Sequence, residues 1–183
     1  MRKRAAQLAK MRRRQSATGE DFDLRTQVAI VGAGPAGLFL AHLLHRQGVD
    51  CVVLERRDRD YVEGRVRAGV LEQITVDLLD QLGLGARMHA QGLVHGGANL
   101  AYDDELFHVD MATLTGGKTV TVYGQSEVMK DLFDAAEDRG LNMVFDAEEV
   151  TPQEIGTETP HISYRKDGAE RRLDCDVVVG CDG

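Results

Sequence analysis

An α/β fold organised on a parallel sheet is predicted by three stretches near the start of the chain. Val28-Ala29-Ile30-Val31 is an apolar, β-branched run that reads as a buried strand. Gly32-Ala33-Gly34-Pro35-Ala36-Gly37 follows at once and fits G-x-G-x-x-G, opening a segment with helical apolar spacing. A second apolar run, Asp50 to Leu54, ends on Glu55, 18 residues after Gly37. Strand, glycine turn, helix, strand and acid in that order make the Rossmann-like βαβ unit that binds dinucleotides.

Each part of the unit has a physical task. Gly32 permits the tight turn out of the strand, Gly34 leaves room for a pyrophosphate, and Gly37 lets helix and sheet approach closely. The N-terminus of the helix offers N–H groups and partial positive charge to phosphates. Glu55, at the carboxyl end of the second strand, has the acceptors for a ribose diol. Leu40, Leu43 and Leu44 are expected on the packed side of the helix, with Gly48 as its stop.

The chain has 183 residues, 43% hydrophobic and 28% charged, a balance ordinary for a globular domain with its own core. No apolar run approaches the ~20 residues needed to span a bilayer, so no membrane partner is expected. The cysteines Cys51, Cys175 and Cys181 are odd in number and form no C-x-x-C pair. This argues against disulfides and metal ligation and for a cytoplasmic setting, with Cys51 and Cys181 as inert core thiols. Net charge is −8, yet residues 1–19 hold seven cations and no acid, leaving the remainder at −15. Residues 1–25 are expected to be a basic disordered tail, although a targeting peptide or a nucleic-acid or membrane arm shares that composition. The acidic body speaks against nucleic acid as a partner.

Beyond Glu55 comes a charged loop, Arg56-Arg57-Asp58-Arg59-Asp60-Tyr61, and then the basic pair Arg65 and Arg67. Two cations one residue apart suit a phosphate clamp, and a solvated pair is the plainer reading. Val70 to Leu82 has helical spacing, with Leu71, Ile74, Leu78, Leu79 and Leu82 as its stripe. A β-hairpin with one wetter face is expected around Asp103-Asp104, within a strand excursion over 94–122. Thr119 to Tyr123 reads as a strand, Ser126 as the N-cap of a helix ending near Gly140, and Leu141 to Phe145 as another strand. Asp167-Gly168 is the turn of a second hairpin, and Val177 to Val179 is a buried strand that puts Asp182 and Gly183 at its carboxyl end.

Several of these blocks together carry a resemblance. The glycine fingerprint, Arg65-x-Arg67-Ala-Gly-Val-Leu-Glu-Gln, Lys118-Thr-Val-Thr-Val-Tyr-Gly-Gln125 and the closing Asp174-Cys-Asp…Gly-Cys-Asp182-Gly183 resemble the single-component flavoprotein aromatic hydroxylases over about Thr26 to Gly183. The resemblance implies a FAD-binding domain over 26–183, with NADPH as reductant, oxygen as co-substrate and 4-hydroxybenzoate or a related phenolic acid as substrate. It implies that Gly32, Gly34, Ala36 and Gly37 line the FAD pyrophosphate, with Ala36 standing where the family often has serine. Glu55 would hold the adenosine ribose, and Arg65, Val66, Arg67, Ala68, Gly69, Val70 and Gln125 the FAD phosphates and ribityl chain. Asp182 and Gly183 match a motif tied to both FAD and NADPH. Arg56, Arg57, Tyr61, Arg65 and Arg67 match the surface linked to NADPH, and His95 a proton path serving the substrate phenol.

The family's second FAD motif and its benzoate-gripping residues come later than Gly183. The chain is therefore expected to be a part cut short before the substrate domain is complete, inactive as a hydroxylase by itself, and homodimeric in its full-length form. Two other readings share the βαβ opening: an NAD(P)-dependent dehydrogenase and a non-catalytic dinucleotide-binding module.

Overall fold

The computed structural model describes residues 14–15 and 22–183. In chain order the strands are β1 (Arg14–Gln15), β2 (Phe22–Arg25), β3 (Val28–Val31), β4 (Cys51–Leu54), β5 (Val70–Glu72), β6 (Leu93–His95), β7 (Ala98–Tyr102), β8 (Glu105–Val109), β9 (Val120–Val122), β10 (Asn142–Val144), β11 (Glu148–Gln153), β12 (His161–Lys166), β13 (Ala169–Asp174) and β14 (Val177–Gly180). The helices are α1 (Pro35–Arg46), α2 (Arg59–Gly64), α3 (Gln73–Leu82), α4 (Ala86–Gln91), α5 (Met111–Leu114) and α6 (Gln125–Arg139). They divide into two compact units, one running to Glu63 and resuming from Leu132 to Gly183, the other Gly64–Asp131.

The first unit is built on a parallel sheet in the order β10-β4-β3-β14. Its two central strands are the two apolar runs of the βαβ unit, and all four residues of β4 are buried. Side chains alternate across the sheet. Ala29, Val52 and Leu54 pack with Ile162, Tyr164 and Leu173 of a second sheet, in the order β1-β2-β13-β12-β11, and with Cys175 just after it. On the other side α1 lies against the sheet, and the Cys51 thiol points at the Ala41 carbonyl. Burial pushes that thiol up to about 11, with Asp50 adding to the shift, as befits an inert core group. Cys175 is buried as well, whereas Cys181 is only half-buried.

Several expectations change. Phe22–Arg25 falls in the predicted tail, yet it is a strand paired in parallel with β13 through Leu24 and Arg25. Leu24 packs on the core, and the Thr26 N–H bonds the Asp174 carbonyl. The rest of that tail, residues 1–13 and 16–21, lies outside the described residues. The buried residues of α1 are Gly37, Leu38, Phe39, Ala41 and His42; Leu40, Leu43 and Leu44 are half-buried beside them. Gly48 does stop this helix, at φ +72.

In the second unit β5-β9-β6 form an antiparallel sheet. Val70–Glu72 belongs to it as a strand, not to the helix, because Leu71 pairs with Thr121. The packed stripe of α3 is Val76, Leu79 and Leu82, and Ile74 is exposed. The β7–β8 hairpin turns at Asp103 and Asp104, both at positive φ. The sequence predicts one wetter face, but nearly every residue on both faces is exposed. Helix α6 begins one residue before Ser126. The Gly124 carbonyl accepts from the Glu127 and Val128 N–H groups, so the role expected of Ser126 as N-cap is not taken.

Candidate functional site

Two backbone hydrogen bonds fix where the glycine loop leaves the sheet. The Gly32 N–H donates to the Leu54 carbonyl at 2.8 Å, and the Cys181 N–H donates to the Val31 carbonyl at 2.7 Å. The loop thus starts between the carboxyl ends of β4 and β14, the edge where open α/β sheets bind ligands. Gly32 sits at φ +103, and a Cβ there would lie 2.6 Å from the Cys181 carbonyl oxygen. A Cβ on Gly37 would lie 2.0 Å from the Gly32 carbonyl oxygen. Gly34 differs: its φ of −68 suits any residue, and a Cβ there meets nothing within 4 Å. Two glycines are therefore required by packing, and the third borders open space at the N-terminus of α1. Pro35 at the start of α1 spends no N–H, and Ala36 is exposed.

Glu55 joins this loop to the next one. Its Oε2 accepts the Ala33 N–H at 2.9 Å and its Oε1 accepts the Arg57 N–H at 3.0 Å. Each carboxylate oxygen keeps a second acceptor site, enough for a diol. The backbone is fixed too, since the Glu55 N–H donates to the Val144 carbonyl and the Glu55 carbonyl accepts the Ala147 N–H, both at 2.9 Å. Arg57 places its guanidinium 5.1 Å from the Tyr61 ring centre, and Arg56 is exposed beside it. Arg59 stacks on Phe133 and bonds Asp134, Glu137 and Glu63, fastening α2 to α6. Asp182 and Gly183 follow β14 and are exposed.

The remaining expected site residues form a separate set in the second unit. Arg65, Val66, Arg67 and Ala68 are exposed. A Cβ on Gly69 would lie 2.5 Å from both the Gly124 Cα and the Tyr123 carbonyl oxygen, and the Tyr123 N–H donates to the Gly69 carbonyl at 2.8 Å. Gly69-Val70 and Gly124-Gln125 are thereby brought side by side. His95 ends β6 opposite Val120, exposed and apart from that junction.

One network here was not foreseen from the sequence. Tyr123 Oη donates to Asp131 at 2.8 Å, and Arg87 pairs with Asp131 and Glu127. Burial, then the bond to Asp131, raises the Tyr123 hydroxyl. These bonds brace the first turns of α6, which carry Gln125. The only sequence sign was the four-residue spacing of Glu127 and Asp131 on one helix face.

The glycine loop and Glu55 fit an adenosine diphosphate group on the open space at Gly34 and the spare carboxylate acceptors. Among the described residues no helix is long and apolar enough to cross a membrane.

Comparison with known proteins agrees with this geometry. The family described as FAD binding domain matches residues 25–183. The p-hydroxybenzoate hydroxylase of Acinetobacter baylyi is 42% identical over 160 residues, which are 87% of this chain and 39% of that protein. The pentachlorophenol 4-monooxygenase of Sphingobium chlorophenolicum is 24% identical over 92% of this chain and 31% of its own length. Among solved structures, the OxyS anhydrotetracycline hydroxylase of Streptomyces rimosus superposes with a TM-score of 0.71 at 26% identity, covering 87% of this chain and 32% of that one. The chain thus spans well under half the length of these relatives.

Proposed function

Because the chain belongs to the FAD binding domain family of flavoprotein aromatic monooxygenases, we propose that it is the FAD-binding part of an NADPH-dependent enzyme of the 4-hydroxybenzoate 3-monooxygenase type. Such an enzyme converts 4-hydroxybenzoate, or a related phenolic acid, to 3,4-dihydroxybenzoate. Support for the substrate comes from the 42% identity to a p-hydroxybenzoate hydroxylase. Support for the site comes from the open space at Gly34 between a packed glycine loop and Glu55. The family match weighs against the dehydrogenase and non-catalytic readings.

In this proposal the N–H groups opening α1 hold the pyrophosphate, and Glu55 accepts from the ribose hydroxyls. Bound FAD supplies the electron carriage and oxygen activation that side chains lack. Asp182 and Gly183 border the same loop from β14 and serve FAD and NADPH. In the second unit Arg65 to Val70 and Gln125 serve the phosphates and the ribityl chain, and His95 moves the substrate's phenolic proton. Arg56, Arg57 and Tyr61 take the 2′-phosphate of NADPH, for which a guanidinium offers paired donors. The assembly is a homodimer in its full-length form, in the cytoplasm.

The open space at Gly34 gives a direct test. Gly34→Leu adds a side chain where φ suits any residue and the new Cβ meets nothing within 4 Å. The variant should keep its circular dichroism and melting temperature yet lose FAD in a fluorescence titration. Undiminished FAD binding by a folded Gly34→Leu protein would place the cofactor elsewhere.

A further inference from the structure

The mixed sheet of the first unit, β1-β2-β13-β12-β11, turns one face toward the parallel sheet, and that face does not end where the apolar core ends. Along β12, Ile162, Tyr164 and Lys166 share it; along β13, Leu173 and Arg171 do. Ile162, Tyr164 and Leu173 are core residues. Lys166 and Arg171 carry the same face outward, and Tyr164 and Arg171 are direct cross-strand partners.

Beside these two cations, at the carboxyl end of the edge strand β10, lies a cleft of about 460 Å³. That volume is within the range of small-molecule sites, roughly 300–1,000 Å³. Leu24, Val144 and the Tyr164 ring line it on the core side, Met143 from β10 and Phe145 just after that strand, and Lys166 and Arg171 complete it. Lys166 Nζ donates to the Phe145 carbonyl at 2.6 Å, which fixes the ammonium and leaves it two further donors. Among the described residues neither Lys166 nor Arg171 has an ion pair, whereas Arg25, Arg59, Arg87, Arg165 and Arg172 each have a carboxylate partner. In a chain of net charge −8, two cations without acids beside an apolar cleft are charge-complementary to an anion. The mainly apolar lining points to one with little polar surface of its own.

We propose that this cleft binds a monocarboxylate with an apolar body, separately from the glycine loop and Glu55. Arg171 and Lys166 hold the carboxylate, and Leu24, Val144 and the Tyr164 ring hold the body. Two sources share that chemistry, aryl acids and acyl chains, and the probes 1-naphthoate and octanoate represent them.

Calorimetric titration of the 183-residue chain should show saturable binding of at least one probe, and the tighter one identifies the source. Amide shifts in nitrogen-15 spectra should centre on Val144, Tyr164 and Arg171. Arg171→Gln should weaken binding about tenfold, the order of a charge-assisted hydrogen bond, and the Lys166→Gln/Arg171→Gln double variant should bind weaker still. Neither side chain is buried, and circular dichroism verifies that the variants fold. The neutral 1-naphthalenemethanol should bind at least as poorly as naphthoate binds the double variant, and saturating ADP should leave the acid bound. The proposal is overturned by no saturable binding of either acid, by an unaltered double variant, by equal affinity for the alcohol, or by displacement with ADP.

Discussion

Glu55 holds two backbone N–H groups by itself, so its carboxylate shapes the site as well as offering acceptors to a ligand. Glu55→Ala should weaken FAD by about 1.5–3 kcal/mol, the scale of hydrogen bonds to a charged group. It should also speed hydrogen exchange at the Ala33 amide; an unchanged affinity would remove Glu55 from the site. His42 is a second residue with a measurable signature. It is fully buried, with Nε2 bonded to the Leu132 carbonyl and Nδ1 to Arg139. A guanidinium only donates, so Nδ1 accepts and Nε2 carries the proton. Burial is the main cause that drives this imidazole from 6.5 down to about 4; the Leu132 bond opposes the shift and Arg139 adds to it. Because the unfolded chain then binds the proton more readily, stability should be level above pH 6.5 and fall toward pH 4. The full loss is of order 3 kcal/mol. Urea midpoints at pH 7 and pH 5 should differ by less in His42→Gln than in wild type. Equal differences would assign the pH dependence to other groups.

At the scale of elements, α2 shows how little hydrophobicity a short helix needs when one side chain fastens it. None of its residues is buried, yet Arg59 links it to Asp134, Glu137 and the Phe133 ring of α6. Arg59→Ala should cost about 1–2 kcal/mol, from the stacking and a networked ion pair. Part of that difference should vanish in 1 M salt, and a salt-independent loss would point to packing alone. The same elements show what a sequence pattern can carry. The run from β3 through α1 to β4 was legible because strand, glycine turn and helix each have their own period. β11 was not, since Glu148-Glu149-Val150-Thr151-Pro152-Gln153 has one apolar residue and a proline; pairing with β12 makes it a strand. The sequence pattern runs β5 into the helix that follows, because Val70 and Leu71 continue its apolar spacing. Only the partner Val120–Val122 distinguishes the two outcomes. Side-chain networks such as Arg87–Asp131–Tyr123 leave almost no sequence trace, because they join residues far apart in the chain.

For the molecule as a whole, burial is unevenly shared. β3 and β4 are enclosed in the first unit, while the β7–β8 hairpin of the second exposes Leu100, Tyr102, Leu106 and Phe107. Hydrogen exchange should therefore be slow in Ala29 to Val31 and Val52 to Leu54 and fast throughout 98–109. Equal protection would mean that the hairpin is covered in solution. The candidate site was legible in its first half, the glycine loop and Glu55, because one local βαβ unit builds it. The contribution of β14 comes from the far end of the chain, and its placement against Gly32 follows from sheet order rather than from any local pattern. That placement bears on synthesis by the ribosome. β3 gains β4 as a neighbour early, but its other edge waits for β14, which follows β4 only after the whole second unit and the second sheet have been made. Until then the opposite edge of β3 is an open, apolar template, and Gly32 has no Cys181 carbonyl to rest against. The nascent chain must carry that exposed edge from the synthesis of β4 until that of β14, so the glycine loop takes its final shape only once Cys181 has emerged.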